Sequence, residues 1–560
     1  ALGVEVPPGL PAALLEPVVD PLGDLALRYA RTHAPFTVHD FASRYGLRVE
    51  RAHDVLARLT TGNRLLEGEF RPGGMEREWT EPGVLRMIRR RSLALVRKEV
   101  EPVDQSVVGR FTTTWQGVRV RTRRRGADAL LDVVEQLQGA ALPASILETE
   151  ILPARLEPYD PADLDALIAA GEVVWVAVER LGDRDGRVAL YLADHLERLM
   201  PPARTLAGRL QPEHGKPDFT AREAAILEFL QSSGASFFAP IHEAAGGGYP
   251  PETVGALWDL VWRGIATNDT FQPVRAFTRA LLSQRKAKRG RPPSPFRSRR
   301  LVPPSAEGRW SIVNGRASHA RSNMAKAATE WAAAIAAQLL ARHGILTREA
   351  VNAESIPGGF ALVYPVLKAM EEAGRIRRGY FVAGLGATQF ALPGALDLLR
   401  SLRAPSAEER VLTLAATDPA NPYGATVPWP ASADGAREPA PLPRGGRGPT
   451  RSVGASVILA DGALAGYLAR GDRALLTWLP ESEPARSRTA DALAHALIDR
   501  ARAQVVNAGD NAGDDVEASP RGMLIEEIDG APPALHPIGP SLVNAGFVPG
   551  ALGYHANLRI

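Results

Sequence analysis

The sequence predicts an α+β chain: a tandem array of small helical units, each closed by a hairpin, then a C-terminal β-rich module. Three observations predict it. First, an apolar helix ending near glycine and running into a strand–turn–strand pattern recurs four times in the first 400 residues. Leu164, Leu167 and Gly171 lead into EVVWVAVERLGDRDGRVALYL, Leu257, Leu260 and Gly264 into IATNDTFQPVRAF, and Leu367, Met370 and Gly374 into RIRRGYFVAGLGATQFAL. The earliest copy, Leu56, Leu59 and Gly62 before NRLLEGEFRPGGMEREW, is one residue out of register. Apolar residues three or four apart give a helix one buried stripe, and glycine adopts the positive φ that stops it. Second, helix-start signals precede the copies: Thr37 with Asp40, Thr220 with Glu223, and the looser Thr347 with Arg348-Glu349. Third, from about residue 405 alternating strands separated by Gly-rich turns replace the helical texture, with one helix (DALAHALIDRARAQVV) among them.

Helix–turn–helix units with a hairpin wing serve mainly to hold nucleic acid or to pack on one another. The expected organisation is a winged helix with a basic helix over 1–104 and a second winged helix over 105–210. A third spans 211–284, a basic linker 285–309, and a fourth winged helix 310–404. A β-barrel-like module fills 405–560. The glycine stops are too far apart for a solenoid repeat, so separate small domains joined by extra helices are expected.

At 560 residues the chain exceeds one hydrophobic core. Net charge is only +3, but the 66 basic residues are almost all arginine, which forms forked hydrogen bonds to phosphate and stacks on bases. Cysteine is absent, which excludes disulfides and thiolate metal sites and fits a cytoplasmic setting. No run of eighteen apolar residues occurs, so no membrane partner is expected. There is no GxxxxGK[ST] phosphate loop, because the lone Gly215-Lys216 is followed by Pro217. No HExxH, His/carboxylate cluster or GxSxG elbow appears, so no metal, no ATP site and no cofactor are expected in this segment. The abrupt start at Ala1 reads as a piece of a longer protein.

Arginine runs at 89–91, 119–125 and 285–300 are candidate phosphate contacts, in particular Arg121, Arg123, Arg124, Arg297, Arg299 and Arg300. Three prolines make the last run an extended strap rather than a helix. Arg375, Arg377 and Arg378 fall on the expected first wing strand of the fourth unit, where alternation turns Arg375 and Arg377 to one face. Trp115, Phe296 and Trp310 lie near arginines and are either base-stacking or core residues. Gln136 and Gln138 end an apolar helical run; if the chain is extended there, both amides leave on one face and can read a base edge or hold a water. The alternative is a polar helix end closed by Gly139. Asp418-Pro419-Ala420-Asn421-Pro422 is a rigid turn that either presents a carboxylate or forms an Asx turn.

VLRMIRRRSLALVRKEVEPV, GRFTTTWQGV, VVEQLQGAALPASILETEILPARL, GRIRRGYFVAGLGATQF and LAATDPANPYGATVPWP, spread from about residue 25 to 430, resemble the C-terminal region of bacterial large helicase-related (Lhr) proteins. The resemblance implies a part of an ATP-dependent superfamily 2 helicase, a hydrolase that moves 3′→5′ on single-stranded DNA and unwinds RNA:DNA hybrids. Its motor, with ATP and magnesium, would lie N-terminal to this chain. It implies tandem winged helices and a β-barrel module that self-associates as a tetramer, a role in DNA repair, DNA partners (single-stranded, tailed duplex or RNA:DNA hybrid) and a cytoplasmic, nucleoid-associated setting. The winged helices are also similar to those of AlkZ/YcaQ DNA glycosylases, whose Gln-apolar-Gln motif matches Gln136-Leu137-Gln138, with Arg155 following. That similarity implies Gln136 and Gln138 as catalytic candidates. Uracil-DNA glycosylase activity in relatives uses a carboxylate near the C terminus, whereas the last acid here is Asp529 and the final 31 residues carry none.

Overall fold

Thr37 and Asp40 close a reciprocal capping box, Asp40 N–H donating to Thr37 Oγ1 at 3.2 Å and Thr37 N–H to Asp40 Oδ2 at 2.8 Å, and the first unit is built from that start. The structure is a computed structural model that describes residues 8–11, 15–71, 76–118, 125–183, 185–201, 219–278, 302–313, 324–404, 410–431, 448–510 and 522–556. Its contacts fall into two bodies, residues 1–101 and 102–560.

The first body holds α1 (Pro21–Thr32), β1 (Phe36–Thr37), α2 (Val38–Tyr45), α3 (Val49–Thr61), β2 (Leu66–Gly68), β3 (Glu78–Thr80) and α4 (Pro82–Val100). Strand β3 lies between β1 and β2, so Trp79 faces both Phe36 and Glu67. Leu22, Phe41, Leu56, Leu65 and Trp79 pack as its core. The register offset of this copy has a physical basis. Gly62 stays at φ −79°, and Asn63 takes the left-handed position at φ 54°, seven residues after Leu56 as Gly171 is after Leu164. Asparagine is the usual substitute for glycine there.

The second body opens with α5 (Gln105–Trp115) and then the second unit: α6 (Gly126–Leu137), β4 (Leu142–Pro143), α7 (Ala144–Ile146) running into a π turn, α8 (Pro161–Ala169), β5 (Val173–Leu181), β6 (Asp185–Leu192) and α9 (Leu196–Leu199). The third unit comprises α10 (Ala221–Ser233), β7 (Ser236–Phe237), α11 (Phe238–Ala244), α12 (Pro250–Trp262), β8 (Ala266–Asn268) and β9 (Arg309–Ile312). The fourth comprises α13 (Met324–His343), β10 (Ile345–Leu346), α14 (Arg348–Ala353), α15 (Gly359–Glu372), β11 (Arg377–Gly379) and β12 (Gln389–Ala391), followed by α16 (Pro393–Ser401). The sheets run β4-β6-β5, β7-β9-β8 and β10-β12-β11, the same order as in the first body. Four winged helices with one topology are present.

One expected boundary changes. The sequence pattern ends the third unit near residue 284 and places Trp310 at the start of the fourth. Instead β9 pairs Trp310 with Ser236 and with Asn268, so it closes the third sheet. The basic stretch 285–300 is thus spliced between the second and third strands of a wing. Sequence periodicity missed this because a strand's partner is chosen by tertiary pairing, however far along the chain it lies.

Units two and three share one core that includes Leu130, Leu147, Trp175, Leu257, Phe271 and Trp310. Across it Trp175 Nε1 donates to Thr270 O at 3.1 Å and Thr267 Oγ1 to Trp175 O at 2.7 Å.

The C-terminal region holds β13 (Val411–Ala415), β14 (Ser456–Ala460), β15 (Ala463–Leu468), β16 (Ala474–Thr477), α17 (Ala485–Asp510), β17 (Leu524–Ile525), β18 (Glu527–Ile528), α18 (Gly539–Ala545), β19 (Phe547–Gly550) and β20 (Gly553–Ala556). Two sheets form, β13-β14-β15-β16-β18 and β17-β20-β19, packed with α17 and α18 around Ile458, Leu493, Leu497 and Phe547. Among the described residues no pairing joins β13 to β18, so the expected barrel-like closure is not seen there.

Helix α5 ties this region to the fourth winged helix. Its Gly109 meets the Gly462 turn so closely that a Cβ on Gly109 would overlap the Gly462 carbonyl oxygen. Beside it the buried Arg110 donates to Leu402 O (3.0 Å), Arg403 O (3.2 Å) and Asp461 O (3.0 Å). Gly109→Ala should therefore lower stability by about 1–3 kcal/mol through overpacking. A thermal melt with an unchanged midpoint would contradict the contact.

Candidate functional site

A helix leaves its last four carbonyls without intrahelical partners. Helix α6 ends at Leu137; Gln138 leaves it at φ −47°, ψ 126°, and Gly139 turns at φ +78°. Side chains from α13 of the fourth unit supply the missing donors. Gln338 Nε2 donates to Glu135 O at 2.8 Å and to Gln136 O at 3.0 Å. One turn later Arg342 donates to Leu137 O and Gln138 O, which also places a cation at the negative end of the helix dipole. The other arm of this buried guanidinium binds Glu354 Oε2 at 2.5 Å, and His343 Nε2 lies 2.8 Å from Glu354 Oε1. Burial alone would raise the Glu354 carboxyl; Arg342 and His343 outweigh it and hold it well below the carboxylate range.

The two glutamine amides part company. The helix continues through Leu137, so they do not leave on one face as an extended segment would place them. Gln138 is buried, 1% exposed, and its amide is consumed. Its Oε1 accepts Leu192 N–H at 3.1 Å, its Nε2 donates to Glu135 O at 3.1 Å, and both atoms lie 3.2 Å from His195 Nδ1. Gln136 is half-buried; its Nε2 donates to Trp115 O at 3.0 Å, and its Oε1 accepts no hydrogen bond from the described residues.

Both lie on a cleft of about 1190 Å³ between α5, α6 and α13, lined also by Trp115, Arg155, His195 and an alanine face of α13. Trp115 stacks on Phe111 with centroids 5.8 Å apart and donates Nε1–H to Ala341 O at 2.9 Å. Arg155 also lines the cleft but is not free to grip phosphate. Its guanidinium forms a fork with Asp418 at 2.7 and 3.0 Å and donates to Gln116 Oε1 (2.7 Å) and Ile151 O (2.8 Å), with both charged side chains 1% exposed. Asp418 also accepts Ala420 N–H at 2.7 Å, so the Asx turn and the presented carboxylate are one feature. Arg451 closes the far side of that turn, donating to Asp418 O, Asn421 O and Tyr423 O. Burial pushes its guanidinium down to about 10.

Of the other sequence candidates, Arg121, Arg123, Arg124, Arg297, Arg299, Arg300 and Phe296 lie outside the described residues. Arg377 opens β11 and is exposed, as are Arg375 in the turn before it and Arg378 after it. Trp310 is core, fully buried with Nε1 bonded to Ala306 O at 3.1 Å, and is not available for stacking on a base. Asp529, the last acid, is engaged by Thr477 N–H and Oγ1, each at 2.7 Å, and by His536 Nε2 at 2.9 Å. Sequence reasoning missed Gln338, Arg342 and His195. The one signal was two polar residues at i, i+4 on the alanine-rich α13, a spacing that puts them on one face.

The contrast between the glutamines is measurable. Gln138→Ala leaves Leu192 N–H without its acceptor and empties a buried side-chain site, and should cost about 1–3 kcal/mol. Gln136→Ala should change the melting midpoint far less. Equal destabilisation by both substitutions would contradict the assigned difference.

Two family models, each described as a winged-helix domain of the large helicase-related protein, match residues 103–193 and 325–411. These are the second and fourth units. Over 504 residues the chain is 41% identical to a Mycolicibacterium smegmatis protein named "Lhr helicase/probable uracil glycosylase", covering 87% of this chain and 31% of that protein. Over 533 residues it is 34% identical to the Escherichia coli "Lhr helicase/uracil glycosylase", covering 89% and 32%. The chain thus spans about a third of the length of these relatives. The solved structure of Streptomyces sahachiroi DNA glycosylase AlkZ is similar at TM-score 0.38 and 14% identity, covering 70% of this chain and 96% of that one. By these matches over long, ordered stretches, the chain carries winged-helix domains of the large helicase-related (Lhr) family and is similar along most of its length to about a third of the Lhr relatives.

Proposed function

We propose that this chain is the nucleic-acid-binding and self-associating C-terminal region of an ATP-dependent 3′–5′ helicase of the Lhr type, acting in DNA repair, with ATP and magnesium handled by a motor outside it. The observation that carries this reading is the series of four winged helices of one topology, two of them matched by Lhr winged-helix models. Arg86, Arg89, Arg90 and Arg91, all exposed along α4, add a basic helix face of the kind that neutralises phosphate. The partners proposed are single-stranded or tailed DNA, an RNA:DNA hybrid and further copies of the chain, as a tetramer. The proposed setting is the cytoplasm, on the nucleoid; among the described residues no helix is long and apolar enough to cross a membrane.

A second reading, a monofunctional DNA glycosylase, is favoured by half-buried Gln136 on the wall of the wide cleft, its Oε1 accepting no hydrogen bond from the described residues. In it a flipped base enters the cleft beside Trp115, and the Gln136 side-chain oxygen orients a water that adds to C1′ as the N-glycosidic bond breaks, the base leaving with the water's proton. The naming of both relatives as uracil glycosylases adds weight, although Asp529 is already occupied by Thr477 and His536.

One set of measurements separates the readings. Anisotropy titration of a tailed duplex should show binding that weakens steeply with salt; a chain that binds no probe at low salt contradicts the main proposal. Incubation with uracil-containing and alkylated duplexes, followed by alkaline cleavage, should show strand breaks lost in Gln136→Ala if the second reading holds. No cleavage of any duplex removes it.

A further inference from the structure

In winged-helix proteins the third helix of the unit is the usual reader of the duplex. Here those helices present little that phosphate would favour. Helix α8 carries Asp163 and Asp165 and no base, and α12 carries Glu252 and Asp259 and no base. On α15 the single Lys368 pairs with Glu372 at 3.7 Å. In the first body α3 offsets Arg51 and Arg58 with Glu50 and Asp54, and Arg58 is held by Asp20 at 2.8 Å. A polyanion gains nothing on such faces.

The fourth wing is different. Arg375, Arg377 and Arg378 are all exposed, and none forms an ion pair among the described residues. Arg377 and Arg378 lie on β11, the edge strand of β10-β12-β11, with Arg375 in the turn leading into it, and among the described residues no further strand covers them. The hairpin behind them is braced. Fully buried Gln389 accepts Phe381 and Val382 N–H, each at 2.9 Å, and donates to Val382 O (2.9 Å) and Gly386 O (3.1 Å). Val103, just before α5, pairs with the same loop: its N–H donates to Phe381 O at 2.8 Å and its carbonyl accepts Ala383 N–H at 2.9 Å. Beyond the arginines Tyr380 stands 43% exposed with its hydroxyl fixed by Gly384 N–H at 2.9 Å, an aromatic face beside three cations. A braced scaffold loses little entropy when its side chains engage a partner.

We propose that this wing, through Arg375, Arg377 and Arg378, is a nucleic-acid contact of the chain, gripping the phosphodiester backbone without reading sequence, while the third helices do not enter a groove. The proposal rests on the nucleic-acid reading above and specifies its surface.

The test uses the whole chain carrying Arg375→Glu, Arg377→Glu and Arg378→Glu, with a 3′-tailed DNA duplex followed by anisotropy over about 50 to 200 mM salt. The slope of log affinity against log salt should become shallower by about 2–3, at roughly 0.9 per lost phosphate contact, with affinity down at least about tenfold at low salt. Charge reversal adds repulsion as well as removing cations, so it is accompanied by Arg375→Gln, Arg377→Gln and Arg378→Gln, which only remove the cations and should show the same shallower slope. Unchanged affinity and slope in a variant that melts like the parent overturn the wing while leaving the nucleic-acid reading intact. A parent chain that binds no probe overturns both.

Discussion

The end of helix α6 is not closed by its own sequence. Its final carbonyls are satisfied by Gln338 and Arg342, two side chains one turn apart on a helix some two hundred residues away. Buried carbonyls without donors would cost more than most single contacts contribute, so the second and fourth winged helices are fixed to each other wherever α6 is to end as it does. Arg342 can stay buried there because Glu354 neutralises it, and Glu354 is kept ionised by Arg342 and His343. Removing any member leaves a charge or carbonyl stranded in a low-dielectric setting, which makes the junction cooperative rather than a sum of pairs.

The cleft is a by-product of that closure. Alanines along α13 keep its face flat where it crosses α6, and the space left open collects Trp115, Gln136 and His195 at its wall. Arg155 and Asp418 fix the opposite side by joining the segment after the π turn of the second unit to the C-terminal region, with Gln116, just past the end of α5, as the third member. A buried ion pair of this kind is weak evidence of added stability, but it is directional: the forked geometry permits one seating of the Asp418 turn. The same economy recurs at the Gly109–Gly462 contact, where two residues without side chains let a helix backbone and a turn approach closely. Rigid junctions, rather than flexible links, hold the cleft and the fourth wing in place.

Within the glutamine motif, chemistry and structure divide the labour. Gln138 is a helix-end residue whose amide is spent on Leu192, Glu135 and His195, whereas Gln136 keeps a carbonyl oxygen toward the cleft. The sequence presents two equivalent amides separated by leucine; the polar helix-end reading describes Gln138, and Gln136 stands apart from it on the cleft wall. Trp310 shows the reverse case: an aromatic beside arginines that turned out to be the centre of a core.

Local signals determined a large share of this molecule. The capping boxes at Thr37 and Thr220, the four leucine-to-turn helices and the hairpins after them are all set by interactions between residues a few positions apart, which the chain writes directly. Even the out-of-register first copy is legible afterwards, because Asn63 can do what glycine does elsewhere. What sequence could not decide are the choices made between distant segments. These include which strand completes the third wing, whether the C-terminal strands close on themselves, and which residues cap α6. They also include whether an arginine faces solvent, as Arg377 does, or a buried carboxylate, as Arg155 does. The two arginines are chemically identical and each sits in an ordinary local context. Only the partner brought up by the tertiary fold distinguishes a structural ion pair from a cation free to meet nucleic acid.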